Sequence, residues 1–205
     1  FIQVDFTKIK NKSLAGADLS YAAFSYSNLS GVDLSGTILK SNNFHNANLS
    51  GLDFTVADVY DGISFIESNL SNSNFEGVNL SPKESYYQVF QNKAYLMRGI
   101  TQSLEAEAMI HEELFDKQES TRIISAEISG NDLAVNYIFF NSFTQANLEN
   151  ANFKNADLRS TNFHSANLAN ADLSGADLTN ANLAGAVLDG AILNCKNHVV
   201  CTPDT

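Results

Sequence analysis

At 205 residues, with 44% hydrophobic content, 14 Phe and no Trp, the chain is long enough for one good core and too apolar for disorder. Its net charge of −11 is spread as about −4 over residues 1–80, −3 over 81–120 and −4 over 121–205. That balance argues against direct nucleic-acid binding, which needs Lys and Arg on phosphates, and no stretch approaches the length of a membrane span.

The chain begins at Phe1 rather than Met, as a processed product would, and a removed signal peptide is compatible with that. From Leu14 onward an apolar residue recurs every fifth position: Leu14, Leu19, Phe24, Leu29, Leu34 and so on to Val59. Val4 and Ile9 extend the series weakly backwards. One extra residue enters near Tyr60 to Gly62, and the count resumes at Phe65, Leu70, Phe75 and Leu80. A spacing of five fits neither the helical period of 3.6 nor the strand period of 2. It becomes useful when the chain turns a corner once per repeat. The central residue and the small residue two before it then point inward, and the other three face water.

Ser81 to about Ser120 breaks the pattern. Ser81-Pro82-Lys83-Glu84 reads as a helix start, with Ser as the cap, Pro at the first position and Glu at the third. Tyr87, Phe90, Ala94 and Met97 follow at helical spacing, Gly99 is a stop, and Ser103 is a second cap. The expectation is an inserted α-hairpin over 81–120. Its aromatic residues Tyr86, Tyr87, Phe90, Tyr95 and Phe115 are candidate anchors for a partner.

The period of five resumes at Ile123, Ile128, Leu133, Ile138 and Phe143, and runs on to Leu193. Phe24 and Phe44 stand twenty apart, as do Phe143 and Phe163, so four repeats per coil stack Phe on Phe. Counting on from Leu80 to Ile123 keeps the Phe sides matched across the insertion. One continuous solenoid of about seven to eight coils is expected.

The segment NADLSGADLTNANLAGA, Asn170 to Ala186, repeats A-[D/N]-L-x-x three times. In this it resembles the pentapeptide-repeat family. That resemblance implies an all-β solenoid, a right-handed quadrilateral β-helix with four repeats per turn. It is nearly silent on function, since members include presumed DNA mimics that bind type II topoisomerases, thylakoid-lumen proteins and domains of bacterial effectors. The expected organisation is therefore a β-helix over 1–80, an α-hairpin over 81–120, the β-helix continued over 121–194, and a cap or tail over 195–205.

Beyond the last repeat, Cys195 and Cys201 close CKNHVVC, with no other cysteine to compete. A disulfide there pins the tail over the open coil, with Val199 and Val200 as a plug, and implies an extracytoplasmic chain, whereas free thiols imply a cytoplasmic one. The remaining chemistry is sparse. His45 and His164 follow Phe centres and face outward, and HEELF at His111 lacks the second His of a zinc-protease helix. Outward Asp and Asn ladders invite calcium, but solubility and corner hydrogen bonds explain them more simply. No catalytic residue, cofactor or metal site is expected. The reading is a non-enzymatic scaffold or protein-binding module whose partner is unknown, using the hairpin or a solenoid wall. The alternative is an acidic DNA mimic for an enzyme such as a type II topoisomerase. Diffuse acid and a short solenoid without an evident dimerising helix count against it. A third reading is an enzyme with its site between hairpin and solenoid.

Overall fold

Turning a corner every five residues requires a turn that costs little, and the backbone supplies the same one repeatedly. In the computed structural model, which describes residues 5–8, 11–83, 85–93 and 121–202, the Ala146 N–H donates to the Phe143 carbonyl at 3.0 Å, and Gln145 between them has φ 56°. The Ala151 N–H donates to Leu148 in the same way, with Asn150 at φ 58°. A left-handed third residue marks a type II turn, which Gly and Asn enter most readily. They hold most of these corners.

Between corners the chain is extended for a few residues and pairs with the coils on either side. Asn147 bridges in parallel to Asn167, twenty residues on. Only β1 (Ile38–Leu39) and β2 (Asp58–Val59) among the solenoid's described segments run to two residues, and they pair in parallel. Twenty residues per coil gives four sides. On side one Phe24, Phe44, Phe65, Phe143 and Phe163 stack at centroid distances of 5.2, 5.4, 4.7 and 5.1 Å. On side three Phe54, Phe75 and Phe153 stack at 4.3 and 5.0 Å. The two columns meet edge to face, as Phe75 does Phe143 at 5.7 Å and 89°. Each such pair adds roughly 0.5–1.5 kcal/mol beyond the area it buries. Leu columns fill sides two and four, and Ala146, Ala151, Ala156, Ala166, Ala171 and Ala176 line the narrow interior at 0–1% exposure. At one position where Ala is replaced the hydroxyl is satisfied locally, Ser68 Oγ donating to the Phe65 carbonyl at 2.6 Å, whereas Ser73 Oγ and Thr161 Oγ1 are buried without a partner.

Two irregularities interrupt the coils, both at the corner between sides four and one. The extra residue near Gly62 lengthens one coil, so that Asn48 meets Asn69 twenty-one residues on. Then Asn69 meets Asn147, seventy-eight residues on, and Phe65 stacks directly on Phe143. The solenoid is therefore continuous across the insertion, as the matching Phe sides require. Asn141 joins the two breaks. Its Oδ1 accepts the Ile63 N–H at 2.9 Å, and its Nδ2 donates to the Leu80 carbonyl at 2.9 Å, a carbonyl that a regular corner would bond through backbone.

The solenoid comprises Phe1–Pro82 with Phe140–Thr205, and Lys83–Phe139 forms a second unit. This corrects three expectations. Residues 85–90 are not the start of a helix but the strand β3 (Ser85–Phe90). Ile123, Ile128, Leu133 and Ile138 are not solenoid centres; they lie on β4 (Thr121–Ser129) and β5 (Asp132–Phe139). Among the described residues the coils consequently number six rather than seven to eight, counted on side one from Phe24 through Phe44, Phe65, Phe143 and Phe163 to Leu183. The remainder of the expected hairpin, with Tyr95 and Phe115, lies outside the described residues.

The second unit is an antiparallel sheet in the order β3-β5-β4. Its period is two: Leu133, Val135 and Tyr137 are buried at 0, 0 and 8%, and Tyr86, Phe90, Ile123, Ala126 and Phe139 pack against them. Tyr86 pairs opposite Tyr137, ring centroids 5.6 Å apart, and Phe90 lies opposite Leu133. Helical spacing from Tyr87 to Phe90 loses to this cross-strand pairing, which gives Tyr86 and Phe90 a shared apolar face. Gly130, at φ 64°, turns β4 into β5.

Both ends of the solenoid are covered. A short 3-10 turn, Phe6–Lys8, sets the Phe6 ring edge-on to Phe24 at 5.6 Å. At the other end Cys195 and Cys201 form a disulfide, and Thr202 N–H donates to the Leu193 carbonyl at 2.8 Å. Val200 and both cysteines pack on the core. Val199 does not: it is 96% exposed, so the expected two-valine plug is one valine and the cystine.

Candidate functional site

With the core residues turned inward, any site on the solenoid must be built from the residues flanking each centre. Most of those before the centre are Asp or Asn, and these fold back as small turns. Asn43 Oδ1 accepts the His45 N–H at 2.9 Å, and Asp172 Oδ1 accepts the Ser174 N–H at 2.9 Å. Amides also bond from coil to coil, as along Asn28, Asn48, Asn69, Asn147 and Asn167 on side two. These side chains are rigid because each holds its neighbour.

The four walls differ in how many carboxylates they carry. Wall three carries Asp33, Asp53, Glu76 and Asp172, and wall four carries Asp18, Asp58, Asp157 and Asp177. The coil-to-coil hydrogen bonds of walls one and two run through neutral amides and hydroxyls, with Glu67, Glu149 and Asp189 their acids. More carboxylates thus stand on walls three and four, but Lys154 shares wall three and Lys40, Arg159 and Lys196 share wall four, so the charge there is mixed. The ionised form of the carboxylates is reinforced there. Ser35 hydroxyl and amide bonds hold the Asp33 carboxyl below the ordinary value of 3.8, Ser20 does the same for Asp18, and Thr179 for Asp177. At Asp157 burial is the largest single influence and opposes ionisation, yet hydrogen bonds and charge from Arg159 still leave the carboxyl lowered. Arg159 closes on it bidentately, at 2.8 and 2.7 Å.

Wall one carries a different feature. Tyr21 and Tyr26 occupy the left-handed corner positions at its two edges, at φ 63° and 61°. A bulky L-residue in that region costs roughly 1–2 kcal/mol. Neither ring recovers it by burial, being 70% and 47% exposed, although Tyr26 meets the His45 ring edge-on at 5.8 Å. Reading the repeat position by position finds them, since Tyr stands in SYAAFSYSN where most other corners have Gly, Asn or Ser and a few have Lys12, Glu67 or Gln145.

The anchors expected from the sequence fare differently. Tyr86 and Phe90 pack within the second unit's sheet, Tyr86 also touching Phe139 at 5.1 Å. Tyr87 lies on β3 opposite Asn136. Cys195 and Cys201 are brought together, their Cα atoms 5.0 Å apart. His45 Nε2 lies 3.8 Å from Glu67, and His164 is exposed on a later coil of the same wall. Among the described residues no three His, Cys, Asp or Glu side chains gather as a metal site, and no helix is long and apolar enough to cross a membrane.

The sequence profile described as Pentapeptide repeats (8 copies) matches residues 17–55, 142–175 and 161–194. No curated protein matches the chain. Similar solved structures include the pentapeptide repeat protein Rfr23 from the cyanobacterium Cyanothece 51142, at 18% identity over 92% of this chain and 93% of that one, with a TM-score of 0.22. A pentapeptide repeat protein of the Arabidopsis thaliana thylakoid lumen is 18% identical over 90% and 70% of the two chains, with a TM-score of 0.28. QnrB1, a plasmid-mediated fluoroquinolone resistance protein, is 16% identical over 91% and 84%, with a TM-score of 0.29.

Proposed function

We propose that this chain, a member of the pentapeptide-repeat family, is a non-enzymatic scaffold that binds a protein partner on a solenoid wall. The observation that carries this reading is the fixing of its exposed groups. Outward Asp and Asn side chains are held by their own turns and by the coils beside them. A partner then meets a surface that loses little freedom on binding, which favours affinity. The sheet of the second unit offers a further surface, with Tyr87 among its candidate residues. Tyr86 and Phe90, being partly committed to packing, offer less.

Affinity capture from the source extract tests the reading, using the intact chain and a chain lacking 83–140. A partner retained by both assigns the contact to a solenoid wall. One lost with the deletion assigns it to the second unit. If chemical cross-linking retains no protein on either chain, the scaffold reading fails.

One observation favours the DNA-mimic alternative, namely the row of Asp33, Asp53 and Asp172 on wall three beside Asp157 and Asp177 on wall four, although Lys40, Lys154, Arg159 and Lys196 interrupt it. On that reading the chain inhibits or protects a type II topoisomerase in a supercoiling assay, and Asp157→Asn with Asp177→Asn weakens the effect. The compartment separates the two. The Cys195–Cys201 disulfide supports an extracytoplasmic location, where a topoisomerase partner is not met. Thiol counting on protein purified without reductant decides it, free thiols favouring the cytoplasm.

A further inference from the structure

We infer that the C-terminal end of the solenoid is a docking face for a second copy of this chain, the two copies stacking end to end. The inference goes beyond the wall-binding reading and does not depend on it.

Residue type changes at the last coil. The outward side-two column that runs from Asn28 to Asn167 ends at Val187, and the side-three column that runs from Ser13 to Asp172 ends at Ile192. Both are exposed, at 44% and 48%, and Val199 in the disulfide loop of the same end is 96% exposed. A terminal coil that simply met water would turn polar at its outer face, and this one turns apolar.

The backbone is open at the same place. In the preceding coil the N–H groups of Phe163, Ser165, Leu168 and Asn170 donate to the carbonyls of Asn182, Ala184, Val187 and Asp189 at 2.7–2.9 Å. Their counterparts Leu183, Gly185, Leu188 and Gly190 have no acceptor among the described residues, and the Ala181 and Ala186 carbonyls have no donor. The tail does not reach them. It returns to side three, where Thr202 bonds Leu193, and leaves the edge of sides one and two bare. Leu188 is accordingly only partly buried, whereas Leu168 beneath it is 0% exposed. An unpaired strand edge is a template for another chain.

The shape of the edge selects its occupant. Its donors lie on two sides that meet at the Gly185 corner, where φ is 70°. A straight strand pairs with one side only. A chain that pairs with both must turn the same corner after five residues, as this chain does at every repeat. Donors and acceptors alternate along the edge, so a copy turned over about a two-fold axis meets each with its complement. Charge permits the approach: Asn182, Ala184, Val187 and Asp189, the outward residues of those sides, carry one charge in a chain of net charge −11. An end one coil across is small beside a permanent interface, so association is expected in the micromolar range.

Analytical ultracentrifugation from micromolar to millimolar concentration, with hydrogen exchange at both limits, tests this. The expected result is a monomer–dimer equilibrium, with exchange slowed on association at residues 183–192 and unchanged at Phe44. Val187→Asn with Ile192→Asn, which restores the polar outward type of earlier coils, should weaken association roughly tenfold or more and leave the dilute protein melting as the parent does. Val56→Asn, equally exposed on an earlier coil, should change neither. Four results overturn the inference: a monomer at every concentration, a dimer as tight in the double variant, protection confined to other residues, or growth past the dimer into filaments. Each leaves capture of a different protein by a solenoid wall untouched, so the two readings stand or fall separately.

Discussion

The solenoid and the inserted sheet both bury apolar side chains, but they recruit their neighbours over different distances along the chain. In the solenoid each coil covers the one before it. Phe143 lies on Phe163 twenty residues later, and Leu173 is sealed by the same repeating contacts. In the sheet, β5 must be flanked by β3 and β4, and Leu133 meets Phe90 across more than forty residues. The first arrangement repeats one local solution, so its stability is a sum of neighbour terms. The second depends on one specific pairing and has no such redundancy.

The sharpest test of the repeated design is Leu173→Asp beside Asp172→Lys. Leu173 is fully buried, so the centre loses roughly 1.5–3 kcal/mol of burial and also encloses a charge, while its neighbour faces water. The first variant should unfold or melt far below the parent, and the second should melt within about 0.5 kcal/mol of it. Equal shifts would sink the assignment of inward and outward positions.

Leu133→Ala probes the other design. A fully buried Leu reduced to Ala costs about 2–5 kcal/mol, and the loss should fall on the sheet. Hydrogen exchange should quicken across 85–90 and 121–139 and stay slow at Phe143 and Phe153. Slowed protection lost equally in both units would show that they melt as one.

Reduction of Cys195–Cys201 should have a smaller, local effect of about 2–3 kcal/mol for so short a loop. Exchange should quicken from about Leu178 onward with little change near Phe44, since a lost cap frays the nearest coils first. Uniform loosening would reject local capping.

Acid should act more weakly still. The carboxyls of Asp33 and Asp177 are lowered, so they contribute stability above the ordinary value of 3.8 and lose it as pH falls through their lowered values. The melting temperature should hold from neutrality to about pH 4 and decline below it. A decline already complete at pH 5 would assign the acid sensitivity to other groups.

The smallest effect should come from the largest change. Removing Lys83–Phe140 together with Pro82→Gly, since position 82 then becomes the left-handed corner that proline cannot enter, joins residue 82 to Asn141 and restores the spacing of five from Leu80 to Phe143. The solenoid's melting transition should persist nearly unmoved, with Asn141 entering a regular corner. An aggregated product would mean that the second unit supplies part of the solenoid's core.

How much of this was readable from residues alone follows from the same contrast. A repeat that closes within five residues and stacks within twenty writes its register into every copy, so the four sides and the Phe columns follow from spacing. The sheet leaves no such record. Ile123, Ile128, Leu133 and Ile138 keep the interval of five by coincidence, and Leu133, Val135 and Tyr137 carry the alternation that matters. Ser81-Pro82 opens a helix as well as it leaves a coil, and only pairing with β5 made Tyr86 and Phe90 a strand. The sequence by itself determined which side chains form the solenoid core, because their partners recur at a fixed separation. Tertiary structure decided the fate of residues 85–90 and 121–139, the distribution of acid among the walls and the exposure of Tyr21 and Tyr26. Each of these depends on which residues become neighbours across coils or strands, a property no local spacing encodes.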